Sequence, residues 1–342
     1  ELLSNNYNLL ATGKTAQLLK DNSCQCIEIE NFTNFPEIFD GRVKTLNPKI
    51  FGGILLRREN QKDLIEAKNN EIEPIDIVCV NLYPFEKVSL IENISEDELI
   101  ENIDIGGPSL VRAAAKNCKY VSVLTDPNQY EKFIFNLNQN NINEAYKREL
   151  ALAAFSHTAK YDTTIIETLE KKYNYDQNTF RINTSLEKKL RYGENPHQSG
   201  KIFGKFSEYF ELIHGKEISY NNVLDIVASV ELIEELEKNS CAIIKHNNPC
   251  GVSSMSNNYD SYTKALACDP VSAFGGIVAF NSEVDEKLAE KLNEIFLEVV
   301  IAPAFTDSAL TLLKKKKERR IIKQIESVKK NKINFRSIPG GV

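Results

Sequence analysis

No apolar run in this sequence approaches the roughly 20 residues that a bilayer-spanning helix needs, and no signal-peptide pattern opens it. The expectation is a soluble, cytoplasmic protein with no membrane partner. Cysteine is scattered and unpaired in pattern: Cys24, Cys26, Cys79, Cys118, Cys241, Cys250 and Cys268, seven in all and without a C-x-x-C pair. An odd count with no framework excludes a disulfide-stapled secreted fold, and such thiols are expected to pack as small buried hydrophobes in a reducing compartment. With only four histidines, a structural zinc site is not expected. Basic charge is in deficit as well. Lys and Arg total 42 against 48 Asp and Glu, a net of −6. That balance argues against a dedicated nucleic-acid binder while leaving room for local anion pockets. No internal repeat is visible.

What is present is ordinary globular material, 42% hydrophobic and 26% charged over 342 residues, enough for about two domains with full cores. Strands are expected at Tyr7–Ala11, Cys26–Ile29, Ile75–Leu82 and Tyr120–Thr125, with helices between them, including Ala16–Lys20 and Pro108–Asn117. Ser95 and Glu98 have the spacing of a capping box that opens another helix. This alternation predicts a parallel sheet covered on both faces, with ligands at the carboxyl ends of its strands. Glu144–Lys172 reads as one long helix or two shorter ones. Asn174–Ser185, rich in Asn, Thr, Asp and Gln, reads as a linker, and the domain boundary is set there, giving domains 1–185 and 186–342. The second half continues with helices at Leu224–Lys238 and Asp285–Glu298 and strands at Cys241–Lys245, Gly276–Phe280 and near Val299–Ala302. Lys314–Lys317 and the basic stretch after it read as a solvated helix face. Both ends read as cut, since the chain opens on Glu1 and finishes on Ile338-Pro339-Gly340-Gly341-Val342.

Four segments of the first half carry polar chemistry at strand ends or helix starts. Thr12-Gly13-Lys14-Thr15 follows a strand and opens a helix, where free amides face an anion. It is either a phosphate cradle or a plain strand-to-helix turn. A Walker loop is excluded, because the glycine it needs five residues before Gly13 is Asn8. Gly41 to Pro48 sets Arg42, Lys44 and Thr45 in a turn-prone loop. Asn81-Leu82-Tyr83 follows a strand at the ligand edge. Asp104-Ile105-Gly106-Gly107-Pro108 precedes a helix whose first residue is expected to be Pro108, and Asp104 there either caps the helix or acts on a substrate. Together they supply phosphate donors, two lysines, a phenol and a carboxylate without metal ligands, an inventory suited to proton transfer on a phosphorylated small molecule.

In the second half, Arg191-Tyr192-Gly193-Glu194-Asn195-Pro196-His197-Gln198 is a loop dense in polar groups. Lys245-His246 ends a buried strand, as a general-base pair or as a structural histidine. Pro249-Cys250 has the start of a zinc-deaminase motif, but Ser253 stands where the second Cys belongs and no H-x-E occurs. His157 and His214 are assigned structural roles.

Gly-Arg-Val-Lys-Thr-Leu-x-Pro, Asn-Leu-Tyr-Pro-Phe, Asp-Ile-Gly-Gly with Arg-Ala-Ala-Ala-Lys-Asn, Leu-Arg-Tyr-Gly-Glu-Asn-Pro-His-Gln and Lys-His-x-Asn-Pro-Cys-Gly occur in that order. In these motifs the chain resembles the bacterial AICAR transformylase/IMP cyclohydrolase family over nearly its whole length. The resemblance implies an α/β fold: a methylglyoxal-synthase-like parallel-sheet domain that closes formyl-AICAR to IMP with loss of water. A cytidine-deaminase-like α/β domain without zinc would follow, the first part of a transformylase that formylates AICAR from 10-formyltetrahydrofolate as co-substrate. It implies Lys44, Tyr83, Asp104 and Lys116 as the cyclisation group, with no metal required. Thr12, Gly13, Lys14, Thr15, Arg42, Thr45, Asn81, Gly106 and Gly107 would bind substrate. His246 matches the family's base and Lys245 its partner, and Arg191, Tyr192, Asn195 and His197 would line the AICAR site. A homodimer is implied, with small-molecule substrates and no nucleic acid.

Four departures from the family pattern stand out. A Ser-Val-Ser-Asp-Lys segment is absent before Glu1, Lys14 replaces a second glycine, Asn47 replaces a frequent His, and the transformylase portion stops about halfway. Lys14 would strain its turn if its φ were positive, or would add a cation to the phosphate. Lys116 lies eight residues beyond Pro108, roughly 12 Å along a helix, so it joins the cyclisation group through the resemblance alone. Two other readings stand beside this one: a phosphate-eliminating lyase of the methylglyoxal-synthase type, and an incomplete chain that binds purine nucleotide without turnover.

Overall fold

Short parallel strands form the centre of Glu1–Asn183, the first of the two units into which the chain divides; the second is Thr184–Val342. The computed structural model describes residues 1–175, 179–328, 335 and 338–341. Residues 176–178 of the expected linker, 329–334 of the expected basic stretch, 336–337 and Val342 lie outside the described residues.

In the first unit, β1 (Leu10–Ala11) pairs in parallel with β2 (Ile27–Glu28), and β3 (Ile77–Cys79) with β4 (Ser122–Leu124). The strands are shorter than the apolar runs that predict them, because pairing stops where the chain turns into the loops of the carboxyl edge. Around them lie α1 (Gly13–Asp21), α2 (Ile29–Thr33), α3 (Pro48–Leu55), α4 (Gln61–Asn69), α5 (Phe85–Ser89), α6 (Glu96–Glu101), α7 (Gly106–Lys116), α8 (Tyr130–Asn138) and α9 (Glu144–Tyr173). Ser95 and Glu98 make the reciprocal bonds of the expected capping box at α6. Glu144–Tyr173 is one continuous 30-residue helix. The core is built on Val78, Val123 and Leu124 of the strands, Val111 and Ala113–Ala115 of α7, and Leu150, Ala151 and Ala154 of α9. Three alanines in a row on α7 let it lie close to both sheet and α9. Helix α7 begins at Gly106, which makes Pro108 its third residue and not its first.

The second unit opens with an antiparallel pair, β5 (Leu186–Leu190) and β6 (Gly200–Phe203). After α10 (Phe206–Tyr209) come β7 (Phe210–His214), α11 (Tyr220–Ile233), β8 (Ser240–Lys245), β9 (Asn248–Ser254), α12 (Asn258–Cys268), β10 (Ile277–Phe280), α13 (Glu286–Leu292), β11 (Val299–Ala302), α14 (Asp307–Leu313) and β12 (Arg320–Gln324). Six strands form one mixed sheet in the order β7-β12-β11-β10-β8-β9, parallel at its centre and antiparallel towards both edges. Alternate residues feed two cores, as strand geometry requires. Cys241, Ile243, Val278, Phe280 and Val300 pack on one face with Tyr262, Leu288 and Leu313. Ala242, Ile277, Ala279, Val299 and Ile301 pack on the other with Ile226, Val230 and Ile233 of α11.

Three expectations are corrected here. The helix expected at Asp285–Glu298 ends at Leu292. Lys314–Lys317 is an exposed turn after α14 rather than a helix face, and of the basic residues after it Arg319 is only 1% exposed just before β12 and Arg320, 8% exposed, opens that strand. Of the seven free thiols, Cys241 alone is fully buried; Cys79 and Cys268 are exposed. No helix among the described residues is long and apolar enough to cross a membrane.

Candidate active site

The peptide between α2 and α3 reverses at a bridge between Ile38 and Val43. Phe39, Asp40 and Gly41 are left-handed there, with φ of 54°, 51° and 89°, and two of the three carry a Cβ, so the turn stores strain. Gly41 suits its left-handed φ, and a Cβ on it would push aside the ends of the Glu37 and Lys44 side chains, lying 2.6 Å from Lys44 Nζ. The closed turn brings Lys44 Nζ to 2.8 Å from Glu37 Oε1. The same ammonium lies 3.5 Å from the point a Cβ on Gly13 would occupy, which sets it against the start of α1. Thr12 caps that helix without a side-chain hydrogen bond, and while the Thr15 amide donates to the Thr12 carbonyl at 3.0 Å, the Gly13 and Lys14 amides keep their donors for an incoming group. Gly13 takes the left-handed step at φ 42°. Lys14 is spared it, and the strain foreseen for Lys14 does not arise. Asn47 has a local role, accepting from the Lys49 amide as the cap of α3.

Thr45 carries the rim on to α7, since a Cβ on Gly106 would lie 2.9 Å from Thr45 Oγ1. Asp104 fastens the next joint. Its Oδ1 accepts from the Gly107 amide at 2.7 Å and its Oδ2 from the Tyr83 amide at 3.4 Å. Asp104 is therefore a helix cap and also a tie to the loop after β3. A Cβ on Gly107 would crowd the carboxylate and come within 2.8 Å of Leu82 Cδ2. Tyr161 of α9, which the sequence reading passed over, accepts from the Asp104 amide through its hydroxyl at 2.8 Å and stacks edge-on against Phe85 at 6.3 Å. Burial pushes the Tyr161 phenol up, which keeps its proton in place. The Tyr83 ring itself is 53% exposed.

The starts of α1 and α7 thus meet Lys44, Thr45, Asp104 and Tyr83 along one rim at the carboxyl ends of the strands. The other expected residues have partners of their own or face solvent. Arg42 is exposed and pairs with Glu101. Asn81 donates to the Tyr130 hydroxyl at 3.2 Å. Lys14 and Thr15 are exposed in the first turn of α1. Lys116 occupies the last turn of α7, about 15 Å of helix rise from Gly106, and Asn117 beside it donates to the carbonyls of Ile54 and Leu56. Within this unit it stands at the opposite edge of the sheet from Asp104.

In the second unit Arg191, Tyr192, Asn195 and His197 lie in the connection between β5 and β6. The Asn195 amide donates to Gln198 Oε1 at 2.9 Å, and the Gly193 amide to the Gln198 carbonyl at 2.8 Å. Lys245 and Asn248 pair across the β8–β9 hairpin, so His246 and Asn247 form its two-residue turn. Lys245 Nζ donates to the Phe274 carbonyl at 2.7 Å, and the His246 side chain is exposed. Asp225 of α11, another residue the sequence reading passed over, accepts from the amides of His246 and Asn247. No hydrogen bond or ion pair among the described residues joins the 191–198 loop to this turn. No cluster of three or more His, Cys, Asp or Glu among the described residues is arranged to hold a metal ion.

Comparison with known proteins gives two family models in tandem. Residues 1–109 match an MGS-like domain and residues 114–342 the AICARFT/IMPCHase bienzyme. The chain belongs to the AICARFT/IMPCHase bienzyme family. The bifunctional purine biosynthesis protein PurH of Thermoanaerobacter sp. (strain X514) is 46% identical over 98% of this chain and 67% of its own length. PurH of Prochlorococcus marinus (strain MIT 9215) is 45% identical, and PurH of Acetivibrio thermocellus 43%, each over all of this chain and 69% of its own length. A crystal structure of ForH aligns with 49% of this chain and 87% of its own at 32% identity and a TM-score of 0.44. The MGS-like match ends and the bienzyme match begins inside α7, whereas the compact units part at Asn183. Helix α9, though matched by the second model, packs into the core of the first unit.

Proposed function

We propose that this chain acts in the last two steps of IMP synthesis, with residues 1–185 closing formyl-AICAR to IMP and residues 186–342 serving formyl transfer from 10-formyltetrahydrofolate to AICAR. The observation that carries the first half is the single rim on which two helix starts, Lys44, Thr45, Tyr83 and Asp104 converge.

Ring closure joins the carboxamide nitrogen to the formyl carbon, and the formyl oxygen leaves as water. An amide lone pair is delocalised into its carbonyl, so the nitrogen attacks only as its proton is removed and the formyl oxygen is stabilised. Asp104 is assigned the removal of that proton: two backbone N–H groups hold its carboxylate in place, and each oxygen keeps a further lone pair for the substrate amide. Lys44, held by Glu37 at 2.8 Å, suits the stabilisation as a fixed positive charge beside the developing oxyanion. Tyr83 offers a phenol for the departing water. The phosphate is assigned to the amides at the start of α1 with Thr12, Gly13, Lys14 and Thr15, and the ribose and base to Arg42, Thr45, Asn81, Gly106 and Gly107. Lys116 enters through its place in the family motif and not through its position.

In the second half His246 is assigned the proton of the AICAR amine as that nitrogen takes the formyl carbon from the folate nitrogen, with Lys245 beside it. Arg191, Tyr192, Asn195 and His197 are assigned to AICAR. We read the working form as a cytoplasmic homodimer on the family resemblance, which light scattering tests. The decisive experiment for ring closure is incubation of the chain with formyl-AICAR while IMP is followed by ultraviolet absorbance. Turnover that disappears in Lys44→Ala with the fold retained supports the reading, and wild-type turnover in that variant removes Lys44 from it.

A further inference from the structure

We infer that Asp225 is a positioning residue that locks the His246–Asn247 turn in its left-handed conformation and thereby fixes where the His246 imidazole stands; this rests on the reading of His246 as the base of formyl transfer.

Two residues close the β8–β9 hairpin, and both have positive φ, 55° at His246 and 60° at Asn247. A two-residue hairpin loop with this backbone favours Asn-Gly or Gly-Gly, because each position is left-handed. Here neither is glycine, and a Cβ in that region costs free energy that something else must offset. The offset comes from one carboxylate on a different element. Asp225 Oδ1 accepts from the Asn247 amide at 2.7 Å, and Oδ2 accepts from the His246 amide at 3.3 Å. With its nitrogen turned towards α11, the Asn247 side-chain amide also donates to Asp225 Oδ1 and to the Leu224 carbonyl, each at 3.2 Å. From the other side Asn248 Nδ2 donates to the His246 carbonyl at 2.8 Å.

Helix α11 is rigid where Asp225 projects, since Ile226 and Val230 next to it are fully buried. The turn is therefore referenced to a packed helix and not only to its own hairpin. Both oxygens are required. An amide at position 225 would present an N–H to one of the two backbone N–H groups, so asparagine cannot stand in for aspartate. His246 is exposed, and no other side chain among the described residues pins its backbone N–H, so the orientation of the imidazole follows from the turn.

The test compares Asp225→Ala, Asp225→Asn, Asn247→Gly and the double variant Asp225→Ala/Asn247→Gly in the 342-residue chain. It has two readouts: hydrogen exchange at the His246 and Asn247 amides, and AICAR affinity by calorimetry. Both Asp225 variants are expected to raise exchange at the two amides and weaken AICAR binding by about tenfold or more, the size of one lost charge-assisted hydrogen bond. Glycine at 247 accepts positive φ without strain, so the double variant is expected to recover most of the affinity while Asn247→Gly alone keeps it. Unchanged exchange in Asp225→Ala overturns the proposal. Weakened binding that Asn247→Gly does not rescue also overturns it, because Asp225 would then act on the ligand directly. If the wild-type chain does not bind AICAR, the reading of the second unit fails, and exchange still decides whether Asp225 locks the turn.

Discussion

Lys44 meets Glu37 at 2.8 Å directly over the α-carbon of Gly41, where any side chain would displace them both. The ion pair is a matter of placement more than of stability, since both groups remain partly open to water and such pairs contribute little to folding.

Gly41→Ala should therefore act on activity first. The methyl group forces Lys44 aside, and at φ 89° it also strains the turn. Ring closure should fall about 100-fold, the size of effect that a displacement of about 1 Å produces in an oriented site. Initial rates of IMP formation, read beside the thermal midpoint, check this; an unchanged rate would mean that Lys44 needs no support from the turn.

Asp104 combines a structural and a chemical duty, and two substitutions separate them. Asp104→Asn retains an oxygen for the Gly107 amide but turns an N–H towards the Tyr83 amide, so it should cost about 1 kcal/mol in urea unfolding and lower ring closure about 100-fold or more through loss of the base. Asp104→Ala loses the cap as well and should cost about 1 kcal/mol in addition. Equal activity in the Asp104→Asn variant and wild type would assign Asp104 to capping alone.

Tyr161→Phe removes the acceptor of the Asp104 amide while leaving the ring against Phe85. The expected cost is about 1 kcal/mol in urea unfolding, together with a lower kcat/KM for ring closure as the carboxylate loses its fixed seat. A variant that is destabilised but fully active would limit Tyr161 to the fold.

His157 carries a pH dependence. Burial holds its imidazole below the ordinary value of 6.5, with Asp126 pulling upward and Lys160 pushing down. As pH falls the unfolded chain takes up the proton first, so stability present above that ordinary value is lost below it. His157→Gln should flatten the urea midpoint between about pH 8 and pH 5 relative to wild type; parallel curves for the two proteins would remove His157 as the cause.

Local signals in the sequence were the ones that carried through. Ser95 and Glu98 specify a helix start within four residues, Gly13 marks a left-handed step, and Gly41, Gly106 and Gly107 mark close approaches whatever the fold around them. Residues joined through the tertiary structure were not legible. Glu37, Tyr161 and Asp225 look like ordinary surface or helix residues until a turn or a neighbouring helix delivers them to their partners. Strand β9 was missed for a related reason. Asn-Pro-Cys-Gly-Val-Ser-Ser has little intrinsic β preference, and its pairing with β8 decides its conformation. Gly251 within it lies so near α12 that a Cβ would collide with the Ala265 carbonyl. Arg320 and Lys323 disguised β12 in the same way: a strand between two others need not be apolar at every position when a buried arginine has acceptors, as Arg320 has in Glu217 and Glu298.

The order of strands in the large sheet has a consequence for synthesis. The β8–β9–α12 segment is contiguous from residue 240 to residue 268, so the hairpin that bears His246 can pair β8 with β9 and cover it with α12 before β10, the other neighbour of β8, has been made. Strand β7 has no such neighbour. Phe210 pairs with Gln324 and His214 with Ile321, and the nascent chain must carry that strand edge unpartnered through the making of every intervening residue.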